Sequence, residues 1–334
     1  MELFALTRHL IDIESVTGNE KRMALYLSDY LQAMDAEVSL EEAAPDRPNV
    51  VACWGKPDVV LSTHLDTVPP FFPSREDDEF IYGRGACDTK GIIAAQLEAA
   101  SRLRAEGVGD FGLLFVVGEE RNSAGALAAN KSPRGSRFLI NGEPTDNRLA
   151  VGTKGVLRLE IEASGRMAHS AYPELGESAI EKLLEALNRL RGLKLPEDEL
   201  LGKTTCNIGT IQGGRAPNVI ADSARAEVMY RLVRPGEELR RTVEQAVGKL
   251  ATVQEALYLP PVKLRTLDGL MDGVETAVVA FATDIPSLTA WGQPFLIGPG
   301  SIHVAHTENE RISKAELMQA AEIYVNMVKT LKKN

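Results

Sequence analysis

The fold and the site are decided by two neighbouring stretches, VVLSTHLDTVPP at residues 59–70 and GRGACDTKG at residues 83–91. The apolar residues 59–61 predict a buried strand that runs into His64. Side chains at i and i+2 point the same way along a strand, so His64 and Asp66 can place a carboxylate behind an imidazole. That arrangement is a usual way to orient a metal-binding histidine. Asp88 follows in a glycine-flanked turn that opens the next helix, so the two stretches predict half of a metal site.

Length and composition favour a soluble globular protein. The chain has 334 residues, enough for one large domain or two ordinary ones, with 44% hydrophobic and 25% charged residues. A net charge of -10 disfavours nucleic acid or an anionic membrane as a partner. No apolar run approaches the roughly 20 residues that span a bilayer. Three widely spaced cysteines and an N-terminus without secretion-signal features predict free thiols in the cytoplasm.

The first 150 residues alternate short apolar strands with helices. Helices are expected up to about residue 13, after a capping box at 17–20, over 89–105 and around 124–130. Between them lie the apolar runs EVSL, NVVACW, VVLSTHLD, GLLFVVG and FLING. The turn GKPD at 55–58 suits a hairpin or a tight link. This order predicts an α/β domain with a mainly parallel sheet flanked by helices.

The pattern changes after about Lys154. RLEIEAS at 158–164 alternates as a strand with one wet face does. A helix over 178–190, strands over 204–214 and 221–233, a helix over 235–250 and a possible short strand near 262–264 follow. The order β-α-β-β-α is that of a ferredoxin-like α+β module. We therefore predict a catalytic domain of residues 1–154 and 267–334, interrupted by an inserted smaller domain of residues 155–266.

Several acidic residues fall where parallel strands end, which is where functional groups gather in such sheets. Glu119 and Glu120 directly follow GLLFVVG, and Glu143 follows FLING. Each pattern has an ordinary explanation by itself, because adjacent glutamates are usually solvated and a His-x-Asp pair is often structural. The glycines of GRGACD also suggest a dinucleotide loop, but Asp88 stands where that motif needs its third glycine.

The motifs taken together resemble one family. His-x-Asp, Gly-x-Gly-x-x-Asp-x-Lys-Gly, Gly-Glu-Glu, Glu-Pro-Thr and a late Ala-His occur in this order. The set resembles the zinc aminoacylase and carboxypeptidase family of metallopeptidases, which includes acetylornithine deacetylase, succinyl-diaminopimelate desuccinylase and bacterial dipeptidases. The resemblance extends from IDIESVTGNE at 11–20 to beyond His306. His303 lies three residues earlier, but the context AHTENE selects His306.

The resemblance implies a site with two zinc ions, for which cobalt or manganese can substitute. One ion would be held by His64, Asp88 and Glu143, and the other by Asp88, Glu120 and His306, with Asp88 bridging. Nitrogen and carboxylate oxygen are ligands that zinc accepts. The resemblance also makes Asp66 the acid behind His64 and Glu119 the general base.

The resemblance implies substrate contacts as well. His169 resembles a lid histidine that reaches the substrate, in some relatives across a dimer interface, although it could be an ordinary surface histidine. Asn218 and Arg231 match positions that meet a substrate carboxylate, but Arg231 could equally pair with an acid of its own sheet. Gly298 and Gly300 resemble a substrate-lining loop, and Thr283-Asp284 is expected nearby.

The expected function is hydrolysis of the amide bond of an N-acyl amino acid, most like acetylornithine deacetylase and therefore arginine biosynthesis. The alternatives within the family are an N-acetyl-lysine or N-succinyl-diaminopimelate deacylase and a dipeptidase or carboxypeptidase. A non-catalytic metal-binding scaffold on the same fold is disfavoured because every ligand and Glu119 are present. The expected partners are a small substrate and a second copy of the chain, bound through the inserted domain.

Overall fold

A computed structural model describes residues 2–267 and 274–333. Within them the chain forms two compact units, the first of residues 2–151, 264–267, 274–277 and 283–333 and the second of residues 152–263 and 278–282. This mixed α/β architecture with an inserted unit confirms the predicted fold class. Residues 268–273, assigned above to the catalytic domain, lie outside the described residues. None of the described helices is both long enough and apolar enough to cross a membrane.

The helices and strands are numbered in chain order. The helices are α1 Leu3–Asp12, α2 Lys21–Gln32, α3 Gly91–Ala105, α4 Ala124–Ala129, α5 Ala179–Arg191, α6 Glu237–Val247 and α7 Lys314–Lys332. The strands are β1 Glu37–Ala44, β2 Arg47–Trp54, β3 Val59–His64, β4 Arg75–Glu76, β5 Phe80–Tyr82, β6 Phe111–Val116, β7 Phe138–Asn141, β8 Leu149–Thr153, β9 Gly155–Ser164, β10 Glu197–Asp198, β11 Gly202–Lys203, β12 Thr205–Gly213, β13 Ser223–Leu232, β14 Thr252–Leu259, β15 Val262–Lys263, β16 Thr276–Val279, β17 Gln293–Leu296 and β18 Arg311–Ser313.

The first unit is built on a six-stranded sheet in the order β1-β2-β6-β3-β7-β17. Strands β6, β3, β7 and β17 run parallel, and β1 and β2 form an antiparallel edge. Every residue of β3 and β6 is buried, as expected for a sheet covered on both faces. Helix α3 packs against α1 and α7 and buries its own apolar side chains in the same core. The carboxyl ends of the parallel strands therefore meet along one edge of this sheet.

Two local patterns of the first unit have different outcomes. GKPD forms the tight link between β2 and β3 and not the hairpin, because β6 lies between these two strands. The predicted capping box is wrong: α2 begins at Lys21, and its N-cap Glu20 makes no capping bond through its side chain. Instead, the Thr17 hydroxyl donates to Asp66 Oδ2 over 2.8 Å, and Glu20 pairs with Arg47. Long-range carboxylate partners have replaced the local cap.

The second unit contains an antiparallel sheet in the order β12-β13-β9-β14. Every second side chain of β9 and β13 is buried and packs in one core with α5 and α6. The strand that completes the sheet is β14, which the sequence analysis missed. The predicted short strand near 262–264 exists as β15, but it pairs with β8. Strand β12 pairs only with β13, and its other edge carries no partner among the described residues.

Candidate metal centre

His64 stands at the end of β3 with both ring nitrogens engaged. Its Nδ1 lies 2.8 Å from the main-chain oxygen of Asp66, and its Nε2 lies 3.0 Å from Asp88 Oδ1. A carbonyl oxygen only accepts, so Nδ1 carries a proton and Nε2, which faces the carboxylate of Asp88, is the nitrogen that can coordinate a metal. Although burial opposes the charged form, the contacts with Asp66 and Asp88 raise the pKa of His64 well above its usual value.

The Asp66 carboxylate does more than stand behind His64. Its Oδ1 lies 3.5 Å from His64 Nδ1, whereas it accepts hydrogen bonds from the amides of Gly118 at 2.9 Å and Glu119 at 3.1 Å. Its Oδ2 accepts from the amide of Glu120 at 3.3 Å and from the Thr17 hydroxyl. Three successive amides pointing at one carboxylate form an anion-binding nest. Asp66 therefore holds the turn that carries both glutamates.

Asp88 presents its two carboxylate oxygens to two histidines. Oδ1 faces His64, and Oδ2 lies 3.2 Å from His306 Nε2. Although burial opposes it, the hydrogen bonds with His306 and His64 lower the pKa of Asp88 below its usual value. The next residue, Thr89, donates its hydroxyl to the main-chain oxygen of His64 over 2.7 Å. The turn that carries Asp88 is thus fastened to the end of β3.

His306 comes from the far end of the chain and completes a second group. Its Nε2 lies 3.0 Å from Glu120 Oε1, and its carboxylate partners Asp88 and Glu120 raise its pKa to about 10. Its φ of +62° is left-handed, which costs an ordinary residue roughly 1 kcal/mol or more. Such strain persists only where the surroundings impose it, and it clusters at functional sites. His303 is exposed and belongs to neither group.

Glu143 follows β7 by two residues and is 5% exposed. Its buried Oε1 makes no hydrogen bond with the described residues. Burial raises the pKa of Glu143 well above its usual value, with Asp88 acting in the same direction and His64 against it. A buried, unpaired carboxylate oxygen needs a partner, and a cation is the natural one.

The donor atoms fit a pair of metal ions. His64, Asp88 and Glu143 offer one set of ligand atoms and Asp88, Glu120 and His306 a second set, each lying within 4.8 Å of one another. Asp88 belongs to both sets, as a bridging carboxylate does. One nitrogen with carboxylate oxygens suits zinc, cobalt or manganese. The structure thus brings together the five residues that the sequence analysis named as ligands.

Glu119 and Asp284 are two further acidic residues close to these ligands. Glu119 is half-buried, and burial together with Glu143 and Asp284 raises its pKa well above its usual value, against the effect of His64. Asp284 is 1% exposed, and neither carboxylate oxygen makes a well-formed hydrogen bond with the described residues. Burial raises the pKa of Asp284 to about 6, while Ser123 and His64 act in the opposite direction.

Gly298 and Gly300 have packing reasons to be glycine. A Cβ on Gly298 would lie 2.5 Å from the main-chain oxygen of Glu143. A Cβ on Gly300, whose φ is +88°, would lie 2.6 Å from Cys87 Cβ. The two glycines therefore lie against the segments that carry Glu143 and Asp88. A role in lining the substrate site stays a prediction.

The three remaining predicted site residues lie in the second unit. His169 and Asn218 are neighbours, because the Ser170 amide donates to the main-chain oxygen of Asn218 over 3.0 Å. Arg231 is half-buried at the other end of β13, eight residues beyond Ser223, or about 26 Å along a strand. Within one chain, the structure does not bring Arg231 to His169 and Asn218.

The sequence analysis missed two buried groups beside the predicted ligands. Arg84 and Glu310 form an ion pair 2.6 Å long, and the Lys90 ammonium donates to the main-chain oxygen of Ile13 over 2.6 Å. Both Arg84 and Lys90 lie within GRGACDTKG, and Glu310 ends AHTENE. Charged residues inside two such motifs were the available signal.

Comparison with known proteins gives matches over nearly the whole chain. A family model described as peptidase family M20/M25/M40 matches residues 60–330. A peptidase M20 domain-containing protein of Schizosaccharomyces pombe is 40% identical, over 98% of this chain and 84% of its own. A "probable carboxypeptidase" of Aspergillus clavatus is 39% identical, over 98% of this chain and 82% of its own.

Solved structures share the fold. A tripeptidase from Staphylococcus aureus superposes with a TM-score of 0.85 at 24% identity, over 99% of this chain and 98% of the other. An M20 family metallo-carboxypeptidase from Sulfolobus solfataricus gives a TM-score of 0.78 at 17% identity, over 100% of both chains. At these identities the likeness concerns the fold.

Proposed function

Because the chain belongs to peptidase family M20/M25/M40, we propose that it hydrolyses an amide bond next to a free carboxylate, in a short peptide or an N-acyl amino acid. Its membership makes it a metal-dependent hydrolase. The observation that carries the proposal is the pair of three-residue ligand sets that share Asp88, with Glu119 directly before the ligand Glu120.

Two zinc ions are the proposed cofactors, with cobalt or manganese able to replace them. His64, Asp88 and Glu143 would hold one ion, and Asp88, Glu120 and His306 the other. When bound, such a pair polarises the scissile carbonyl and lowers the pKa of water. The unpaired Oε1 of Glu143 supports this assignment.

Glu119 is the proposed general base. Its raised pKa suits a carboxylate that takes a proton from the attacking water and then gives it to the leaving amine. Asp66 accepts a hydrogen bond from the amide of Glu119, and this bond fixes the position of the Glu119 side chain. We assign Asp66 a positioning role and Glu119 the proton transfer.

His169 is the proposed donor to the developing oxyanion. Its Nδ1 accepts a hydrogen bond from the Ala171 amide over 3.1 Å, so the neutral ring carries its proton on Nε2. A fixed N–H donor is what oxyanion stabilisation needs. Asn218, its neighbour, and the guanidinium of Arg231 are proposed to bind the substrate carboxylate. Because Arg231 lies far along β13, its partners in a site would come from a second copy of the chain.

Strand β12 is the proposed dimer contact. Its outer edge is open in the described residues, most of its side chains are exposed, and Ile211 is 55% exposed. An open strand edge is a template for pairing with another chain. Light scattering should give twice the mass of one chain, and Ile211→Asp should reduce it to a single chain. A monomeric wild-type protein would remove this part of the proposal.

A cytoplasmic location is part of the proposal. Cys53, Cys87 and Cys206 are all free, and the thiol of Cys87 is buried beside Asp88. Free thiols persist in a reducing compartment.

Two classes of substrate fit the proposed site, short peptides and N-acyl amino acids. Peptide cleavage from the carboxyl end is favoured by relatives that are named probable carboxypeptidases. Deacylation of an acetylornithine-like substrate is the expectation from the motifs. Both present an amide beside a carboxylate, so the same site residues serve either.

The test is a hydrolysis screen with metal added back. N-acetylornithine, N-acetyl-lysine, N-succinyl-diaminopimelate and simple dipeptides should separate deacylase from peptidase. Glu119→Ala should abolish turnover of whichever substrate works while metal stoichiometry stays at the wild-type value. Full activity of Glu119→Ala would refute the base assignment, and wild-type protein that binds metal but hydrolyses none of these substrates would revive the scaffold alternative.

A further inference from the structure

A buried ion pair lies beneath the metal-ligand residues, and the proposed mechanism does not use it. Arg84 Nη1 donates to Glu310 Oε2 over 2.6 Å, with the two side chains 2% and 1% exposed. Arg84 Nε donates to the main-chain oxygen of Pro70 over 3.1 Å, and the guanidinium lies over the Phe72 ring, 4.8 Å from its centroid. The guanidinium is therefore fixed on three sides.

The other oxygen of Glu310 faces the turn that carries Asp88. Oε1 accepts from the amide of Cys87 at 3.4 Å and from the amide of Asp88 at 3.3 Å. The main-chain oxygen of Glu310 also accepts from the amide of Gly83 over 3.1 Å. Glu310 thus joins a fixed guanidinium to two successive amides, an arrangement that orients the turn through charge-assisted bonds.

Both oxygens of Asp88 are committed, to His64 on one side and to His306 on the other. A small rotation of the Asp88 turn would therefore disturb both contacts. Glu310 lies only four residues after His306, so the same carboxylate also anchors the segment that carries that histidine. Two ligands of the Asp88–Glu120–His306 set depend on Glu310, but only one ligand of the His64–Asp88–Glu143 set does.

We propose that Glu310, held by Arg84, is a positioning residue that sets the bridging carboxylate Asp88 against His306, so that the ion of the Asp88–Glu120–His306 set depends on it most. The inference rests on the metal centre of the proposed function, but not on the substrate. Buried ion pairs are a poor source of stability, since apolar replacements are often neutral or better. A positional role gives this pair a reason to be charged.

The test measures metal binding and not turnover. Metal-free protein is titrated with Mn²⁺ by calorimetry, and the spin coupling of the bound pair is followed by electron paramagnetic resonance. Wild type should bind two ions per chain and show the coupled signal. Glu310→Ala should weaken one ion by about 10–100-fold and lose the coupling while the other ion stays within a few-fold. Glu310→Gln keeps an oxygen that can accept the two amides and should lose less.

Leu27→Ala is the matched control, because Leu27 is fully buried in α2, which packs on β1 and β2 away from the Asp88 turn. It should lower the denaturation midpoint yet bind both ions as wild type does. If Glu310→Ala does not fold, Arg84→Met, which frees the Glu310 carboxylate, should show the same selective loss.

Three results would overturn the inference. They are unchanged binding of both ions by the folded Glu310→Ala or Arg84→Met protein, equal weakening of both ions, and loss of one ion in Leu27→Ala. Wild-type protein that binds fewer than two ions would overturn the proposed metal centre as well. Two bound ions without hydrolysis of any screened substrate would refute only the proposed reaction.

Discussion

Asp66→Asn tests whether this carboxylate holds the Glu119–Glu120 turn. The asparagine oxygen can still accept from the amides of Gly118 and Glu119, but each bond becomes neutral and loses about 1 kcal/mol. The new NH₂ group faces the amide of Glu120, which leaves that donor unpaired at a further cost of about 1 kcal/mol. The Thr17 hydroxyl can turn round and accept. The free energy of unfolding should fall by about 3 kcal/mol.

The same substitution should reduce catalysis through position. A loosened turn moves both the proposed base Glu119 and the ligand Glu120, so kcat/KM and metal affinity should each fall by about 10–100-fold. Urea denaturation of metal-free protein measures the stability, and steady-state kinetics with the substrate found in the screen measures the turnover.

Ser15→Ala provides the matched control for Asp66→Asn. The Ser15 hydroxyl donates to the main-chain oxygen of Leu65 over 2.8 Å, next to Asp66 but without touching its carboxylate. Its removal should cost about 1 kcal/mol and leave kcat/KM close to wild type. The reasoning is refuted if Asp66→Asn stays within 1 kcal/mol of wild type, or if it affects turnover no more than Ser15→Ala does.

Three further predictions concern the neighbouring groups. Gly298→Ala should displace Glu143, because the new Cβ would lie 2.5 Å from the main-chain oxygen of Glu143, and calorimetry should therefore show weaker metal binding. Gly209→Ala is the control, because its Cβ would meet nothing closer than 3.8 Å, and it should bind metal as wild type does. The pKa of His306 is about 10 in metal-free protein, so an Mn²⁺ ion that binds to His306 displaces a proton. The affinity of that ion should therefore rise about tenfold per pH unit between pH 7 and 9, and an affinity that does not change with pH would contradict this. Asp284→Asn removes a negative charge that raises the pKa of Glu119, so the acidic limb of the kcat/KM profile should move to lower pH, and an unmoved limb would exclude that coupling.

The sequence predicted which polar residues lie close together because strand ends can be recognised from the hydrophobic pattern. Apolar runs that stop at His64, Val116 and Asn141 are parallel neighbours in the sheet, so the polar residues after them meet at one edge. His306 came from the family motif alone, since no strand leads to it. His306 has a left-handed φ of +62°, a conformation that the hydrophobic pattern does not predict for a residue other than glycine.

Local rules failed where a distant partner competed for the same group. The capping box at 17–20 has the right residues, yet Thr17 bonds Asp66, 49 positions away, and Glu20 bonds Arg47, 27 positions away. Both alternatives involve a carboxylate, and bonds to an ionised group exceed a neutral capping bond. The spacing of residues along the sequence does not predict such long-range partners. The ion pair between Arg84 and Glu310, which are 226 positions apart, could not be predicted for the same reason.

The two histidine segments hold each other's ligands in place. Asp66, two residues after His64, binds the amides of Glu119 and Glu120, and Glu120 is the partner of His306. Glu310, four residues after His306, binds the amide of Asp88, which is the partner of His64. Each segment therefore positions a carboxylate that serves the histidine of the other segment. Both carboxylates bear on the Asp88–Glu120–His306 set, which contains Glu120 as well as Asp88, so loss of either Asp66 or Glu310 should weaken the ion of that set more than the ion of the His64–Asp88–Glu143 set.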